Sequence, residues 1–188
     1  FYGFAGSDIL GMAGTLVQLP AQAALPDSLR EPAFRGNRME RTRNGLTADR
    51  EYDMEVERMN LAAQLEAARA APPAGDPYLE AMLGGQSPEA AARALLEGTR
   101  LTDAAFRQSL MEGGAQSIRD CVDPMIVAAR TIDGLAAEVD ARAAPLNAII
   151  ATNAELVGQA IFAAYGTSIP PDATFTLRIT DGVVKRYP

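Results

Sequence analysis

The chain has 188 residues, is 48% apolar and carries 24 acidic against 17 basic residues, a formal net charge of −7. That length suits one domain of ordinary size with a real core, and the apolar share excludes a disordered chain. The acidic balance argues against a nucleic-acid footprint.

Ser7 and Asp8 offer an N-cap for a first helix through Ile9, Leu10, Met12, Leu16 and Leu19. Gly11 and Gly14 lie three apart in it, but neither phosphate-cradle spacing, GxGxxG nor GxxxxGK[ST], is present. They are expected to let another backbone approach. Pro20, Pro26 and Pro32 then punctuate a loop or broken helix. Arg30, Arg35, Arg38, Arg41, Arg43 and Arg50 crowd the next stretch, diluted by Glu31, Glu40 and Asp49. A solvated face with local ion pairs is the expected reading, and an anion site the sharper alternative.

Glu51 to Ala71 reads as a helix, with Val56, Met59, Ala63 and Ala67 on one face and Leu61, Leu65 and Ala68 on another. So broad an apolar surface predicts burial on more than one side. The acidic run Asp49, Glu51, Asp53, Glu55 and Glu57 suits a first turn that complements the helix dipole better than acid–base work.

Pro72-Pro73-Ala74-Gly75-Asp76-Pro77 is a break. Short helices follow over Tyr78–Leu83 and Ser87–Gly98, the second with Ser87 as cap, Pro88 at its first position and Gly98 closing it. Thr102 is the expected cap of the next, which runs to Met111 before Gly113-Gly114. Asp123-Pro124 starts another, with Met125, Ala129, Ile132, Ala136, Val139 and Ala143 along one side. Pro145 marks a kink or a fresh start, after which Leu146, Ile149, Ile150, Asn153, Val157, Ala160, Ile161 and Ala164 keep the helical period.

Gly166 can end that helix at φ > 0, and Pro170-Pro171 forbid its resumption. Thr174-Phe175-Thr176-Leu177-Arg178-Ile179-Thr180 alternates as a half-buried strand, with Asp181-Gly182 as a hairpin turn. The fold class expected is therefore mainly α, a multi-helix bundle-like domain with a short C-terminal β-strand or hairpin. The boundary falls between residues 1–166 and 167–188. Both ends read as continuing into a longer chain.

The residues carry little chemistry of their own. With no histidine, a Ser-His-Asp triad cannot be completed within the chain. Cys121 stands alone, so neither a disulfide nor a thiolate metal cluster is available. No GxSxG, HExxH or CxxC occurs. No catalytic, cofactor-binding or metal-binding residue is assigned. No run of about 18 apolar residues is seen, so no membrane span is expected.

The C-terminal third nevertheless resembles the bacterial serine dipeptidyl-peptidases of family forty-six, the group containing dipeptidyl-peptidases seven and eleven. The carrying residues are Asp123-Pro124-Met125-Ile126, Ala163-Ala164-Tyr165-Gly166-Thr167-Ser168, and Pro171 to Arg178 with Gly182-Val183-Val184-Lys185. The last two blocks look like the family's YPDATFTLR…YGxVKGY passage. Upstream, Arg30-Glu31-Pro32-Ala33-Phe34 and Tyr52-Asp53 with Val56 are similar to the middle of its helical domain. Pro170, Asp181 and Arg186 depart from the family's tyrosine, tyrosine and glycine.

The resemblance implies a chymotrypsin-like double barrel that carries the triad outside these residues, and a helical insertion that caps the cleft. Residues 1–166 are then the lid, and 167–188 the junction and first strands of the barrel. It further implies a peptide substrate, release of dipeptides from a free N-terminus, a periplasmic or secreted location, and a parent able to form a homodimer. Two alternatives stay open: a non-catalytic helical interaction module, and a degenerate peptidase homologue.

Overall fold

The computed structural model describes residues 6–70 and 76–166. Among them are seven α-helices and two 3-10 turns, and no strand. The expected strand over Thr174–Thr180 and the Asp181-Gly182 hairpin lie outside the described residues, as do Pro72-Pro73 and Pro170-Pro171.

The helices are α1 (Asp8–Ala24), α2 (Asn37–Thr47), α3 (Met54–Ala70), α4 (Pro77–Leu83), α5 (Pro88–Gly98), α6 (Ala104–Asp120) and α7 (Pro124–Tyr165). The 3-10 turns Asp27–Leu29 and Pro32–Phe34 lie between α1 and α2. Contacts divide the chain into two units, Phe1–Ala141 and Arg142–Pro188.

In the first unit α3 packs along α5 and touches α4, α1 lies against α6, and α2 touches both α6 and the Pro32–Phe34 turn. Leu10, Leu16, Leu61, Leu65, Ile126 and Ile132 are fully buried in the core they share. Each such side chain contributes roughly 1.5–3 kcal/mol on leaving water. Ala13, Ala62, Ala91, Ala92 and Ala129 are buried in that core too.

Start chemistry is local and mostly as the sequence predicts. The Ser7 hydroxyl accepts from the Leu10 amide (3.2 Å), and the Ser87 hydroxyl from Ala90 (3.3 Å). Asp123 accepts from Met125 and Ile126 at the head of α7. The cap of α6 is Asp103 rather than Thr102, its carboxylate accepting from the Ala105 amide at 2.8 Å. An ionised acceptor there outcompetes a hydroxyl one residue earlier. Gly114 takes φ +61 and ψ −149, which breaks α6 into two helical pieces rather than ending it.

Other expectations are corrected. Pro20 lies inside α1 rather than in a loop or broken helix, whereas Pro26 and Pro32 do fall in the turns before α2. Pro20 removes one ladder bond, yet the helix continues to Ala24. Helix α3 starts at Met54 rather than Glu51, because the Asp53 carboxylate caps it through the amides of Glu55 and Val56. It also buries one side only. Leu61, Ala62 and Leu65 are inside, while Val56 and Met59 are 48% and 58% exposed. Gly98 ends α5 by close packing, without a left-handed cap. A Cβ there would sit 2.8 Å from Pro124 Cγ.

Helix α7 runs through Pro145 without interruption. Its first turns are buried at Met125, Ile126, Ala129 and Ile132. From Leu146 onward every described residue is exposed, Ile149, Ile150, Val157 and Phe162 among them. Gly166 closes it at φ +57, with its amide on the Phe162 carbonyl at 2.7 Å. By length and composition alone α7 is apolar enough to cross a membrane, with mean hydropathy 1.2 over an 18-residue window of which none is buried. Asn153, Glu155 and Gln159 interrupt it, so α7 still holds no unbroken run of about 18 apolar residues. Glu155 and Gln159 fall opposite Leu146, Ile150 and Val157, so the apolar surface is a stripe with a polar back.

Candidate functional site

A concavity of the first unit opens between α1, α2 and α3, with a volume of about 1010 Å³. The start of α1 forms one wall through Ser7 and Asp8. Helix α2 and the loop after it form another through Arg41, Gly45 and Arg50, and Asn60 of α3 lies beside them.

The α1 wall is fixed by a long-range contact. Glu57 is only 7% exposed. Its carboxylate receives the Ser7 hydroxyl at 2.5 Å and the amides of Asp8 and Ile9 at 3.3 Å each. The Ser7 oxygen accepts from Leu10 and donates to Glu57, so one hydroxyl joins two elements. A carboxylate at a helix N-terminus is favoured by free amides and by the helix dipole. The last acid of the α3 run therefore serves α1 rather than its own first turn. Ser7 was legible as a cap, but its distant partner was not.

Leu46, which lines the cleft, is held from behind by Arg107 of α6. Arg107 is fully buried, and its guanidinium donates to the carbonyls of Leu46 and Leu101 at 2.6 Å each and to that of Ala48. Leu46 and Ala48 flank the C-terminal end of α2, where carbonyls lack helical partners. The cation thus anchors the cleft-forming loop to α6. Nothing in the local sequence marks Arg107, since two of its three acceptors are backbone atoms about sixty residues away. Asp123 plays a similar part between α5 and α7, accepting from the Thr99 hydroxyl (2.9 Å) and the Arg100 amide (2.7 Å).

The arginine-rich run divides cleanly. Arg30 donates to the carbonyls of Gln22 and Leu25 and pairs with Asp27. Arg35 and Arg38 donate to the carbonyls of Arg30 and Pro32. Among the described residues Arg41, Arg43 and Arg50 make no hydrogen bond or ion pair, and Arg41 and Arg50 line the cleft. Gly11 also lines it, whereas Cys121 ends α6, half-buried and away from it. The Tyr52 hydroxyl reaches Met12 Sδ at 3.5 Å across the cleft's edge, and sequence reading had given neither Tyr52 nor Asn60 a site role.

The family model for peptidase S46 matches residues 2–188. The chain belongs to the peptidase S46 family. A comparison with curated proteins returns no match. With no histidine among its 188 residues, the chain holds no complete Ser-His-Asp triad.

Proposed function

We propose that these residues form the helical, substrate-capping part of a serine exopeptidase that releases dipeptides from peptide N-termini. The triad then lies in segments outside this chain. One observation carries the reading: the S46 match runs over residues 2–188 although the chain has no histidine. An S46 segment without the histidine that a Ser-His-Asp triad needs is suited to substrate binding and enclosure rather than to bond cleavage of that kind.

On this reading residues 1–166 are the lid, and 167–188 the junction with the catalytic barrel. The exposed stripe Leu146-Ile150-Val157-Ile161 supports it, because an apolar surface of that size is normally covered by protein. A periplasmic or secreted location and a peptide substrate belong to the same proposal. Hydrogen exchange tests it in the protein expressed from its complete reading frame. Binding of a slowly cleaved peptide with a free N-terminus is expected to slow exchange in α1 and α3, and unchanged protection there would sink the lid role.

The same stripe also favours a second reading, a helical module whose α7 binds a partner helix. Solution mass of the 188-residue chain itself separates the two, because the homodimer implied by the lid reading belongs to the parent. A monomer at high concentration speaks for the lid, and a stable dimer that Val157→Glu dissolves speaks for the module.

A further inference from the structure

We propose that the cleft between α1, α2 and α3 holds a carboxylate of a bound peptide between Arg41 and Arg50. The inference deepens the peptidase reading and rests on it for the ligand's class.

Arg41 and Gly45 are one helical turn apart and share a face of α2. Arg50 Nη2 lies 3.6 Å from the position a Gly45 Cβ would take. The Arg50 head group therefore folds back onto the face that carries Arg41, in the space a side chain at Gly45 would fill. Both guanidiniums line the same cleft. Among the described residues, the ion pairs are Arg30–Asp27, Arg58–Glu55 and Arg69–Glu66, so neither cation is neutralised.

The acidic groups on the cleft do not change this. Glu57 is engaged by Ser7 and two amides of α1, and Asp8, at the head of α1, pairs with neither arginine. Two like charges facing one cleft, Arg41 on α2 and Arg50 in the loop after it, repel each other, and an anion between them relieves that repulsion. A planar carboxylate matches the guanidinium fork in geometry and charge, and Asn60 and Thr42 stand on the same cleft to bond the adjoining peptide. Met12 and Val56 supply apolar wall for its side chains, and about 1010 Å³ is room for several residues. Both arginines are exposed, so binding is salt-sensitive.

The test uses the full chain and two probes. In the first, glutarate is titrated while the arginine Nε resonances are followed by NMR. Arg41 and Arg50 are expected to shift together and Arg43 to stay put; equal movement of all three overturns the site. In the second, fluorescence anisotropy measures three labelled octapeptides. One carries a single Glu and an amidated C-terminus, the second is its Gln twin, and the third is the Gln twin with a free C-terminus.

At least one carboxylate-bearing peptide is expected to bind about tenfold or more tightly than the amidated Gln peptide, as a charge-assisted bidentate contact requires. Which one does so tells a side-chain carboxylate from a terminal one. Arg41→Ala and Arg50→Ala are expected to abolish the difference, and Arg43→Ala to leave it. Equal binding of all three peptides overturns the carboxylate site while peptide binding stands. Glutarate shifts without binding of any peptide retain the site and remove the peptide reading.

Discussion

Ser7 and Glu57, fifty residues apart in sequence, share a 2.5 Å hydrogen bond at the point where α1 begins. The contact ties α3 to the head of α1 and shapes one wall of the cleft. Glu57→Ala leaves the Ser7 hydroxyl and two amides without their acceptor, at a cost of about 2–4 kcal/mol. Ser7→Ala loses the cap and one of these bonds, about 1 kcal/mol. Urea unfolding of both and of the double variant measures the coupling. The double is expected to cost less than the sum of the singles, and strict additivity would mean the pair does not interact.

Arg107 is the second anchor. Replacing it with alanine strands three carbonyls and opens a large void, so a loss of about 3 kcal/mol or more is expected. Arg107→Lys recovers only part, because one ammonium cannot reproduce the fork that spans Leu46, Ala48 and Leu101. Thermal unfolding that ranks alanine below lysine below arginine agrees with this; a neutral alanine variant does not.

Two helical glycines are expected to respond oppositely to alanine. At Gly45 the added Cβ meets Arg50 Nη2 at 3.6 Å, an ordinary contact, so helix propensity dominates and the variant gains up to about 1 kcal/mol. At Gly98 the Cβ meets Pro124 Cγ at 2.8 Å, and a proline ring at the head of α7 cannot swing away. Gly98→Ala is therefore expected to be net destabilising. Chemical denaturation of the pair reads the sign directly.

These cases mark what the sequence made legible. Caps within three residues of their helix were readable at Ser7, Ser87 and Asp123, because a short polar side chain reaches only its own first turn. The helix end at Gly166 was readable because φ > 0 favours glycine. Glu57 and Arg107 were not, since each serves backbone atoms brought near only by the fold. The one-sided burial of α3 was missed for a related reason: periodicity gives faces, but not which of them meets a neighbour. The arginine run showed its charge but not its division into carbonyl clamps and free cations.

The Tyr78 hydroxyl gives a pH signature. Burial, with a smaller effect from Asp76, raises its pKa above the usual 10.0. The folded state then holds the proton more tightly than the unfolded one. Its contribution is fully present below pH 10.0 and is lost as pH rises through the folded value. Wild-type stability is expected to fall on this limb more steeply than that of Tyr78→Phe, as followed by circular dichroism from neutral to strongly alkaline pH. Parallel curves would place the loss elsewhere.

The most direct test of the peptidase account is mass analysis of products from the protein expressed from its complete reading frame. A decapeptide is offered with its N-terminus free or acetylated. The account predicts successive release of dipeptides from the free peptide and none from the acetylated one. Internal cleavage of both, or cleavage of neither, would contradict it.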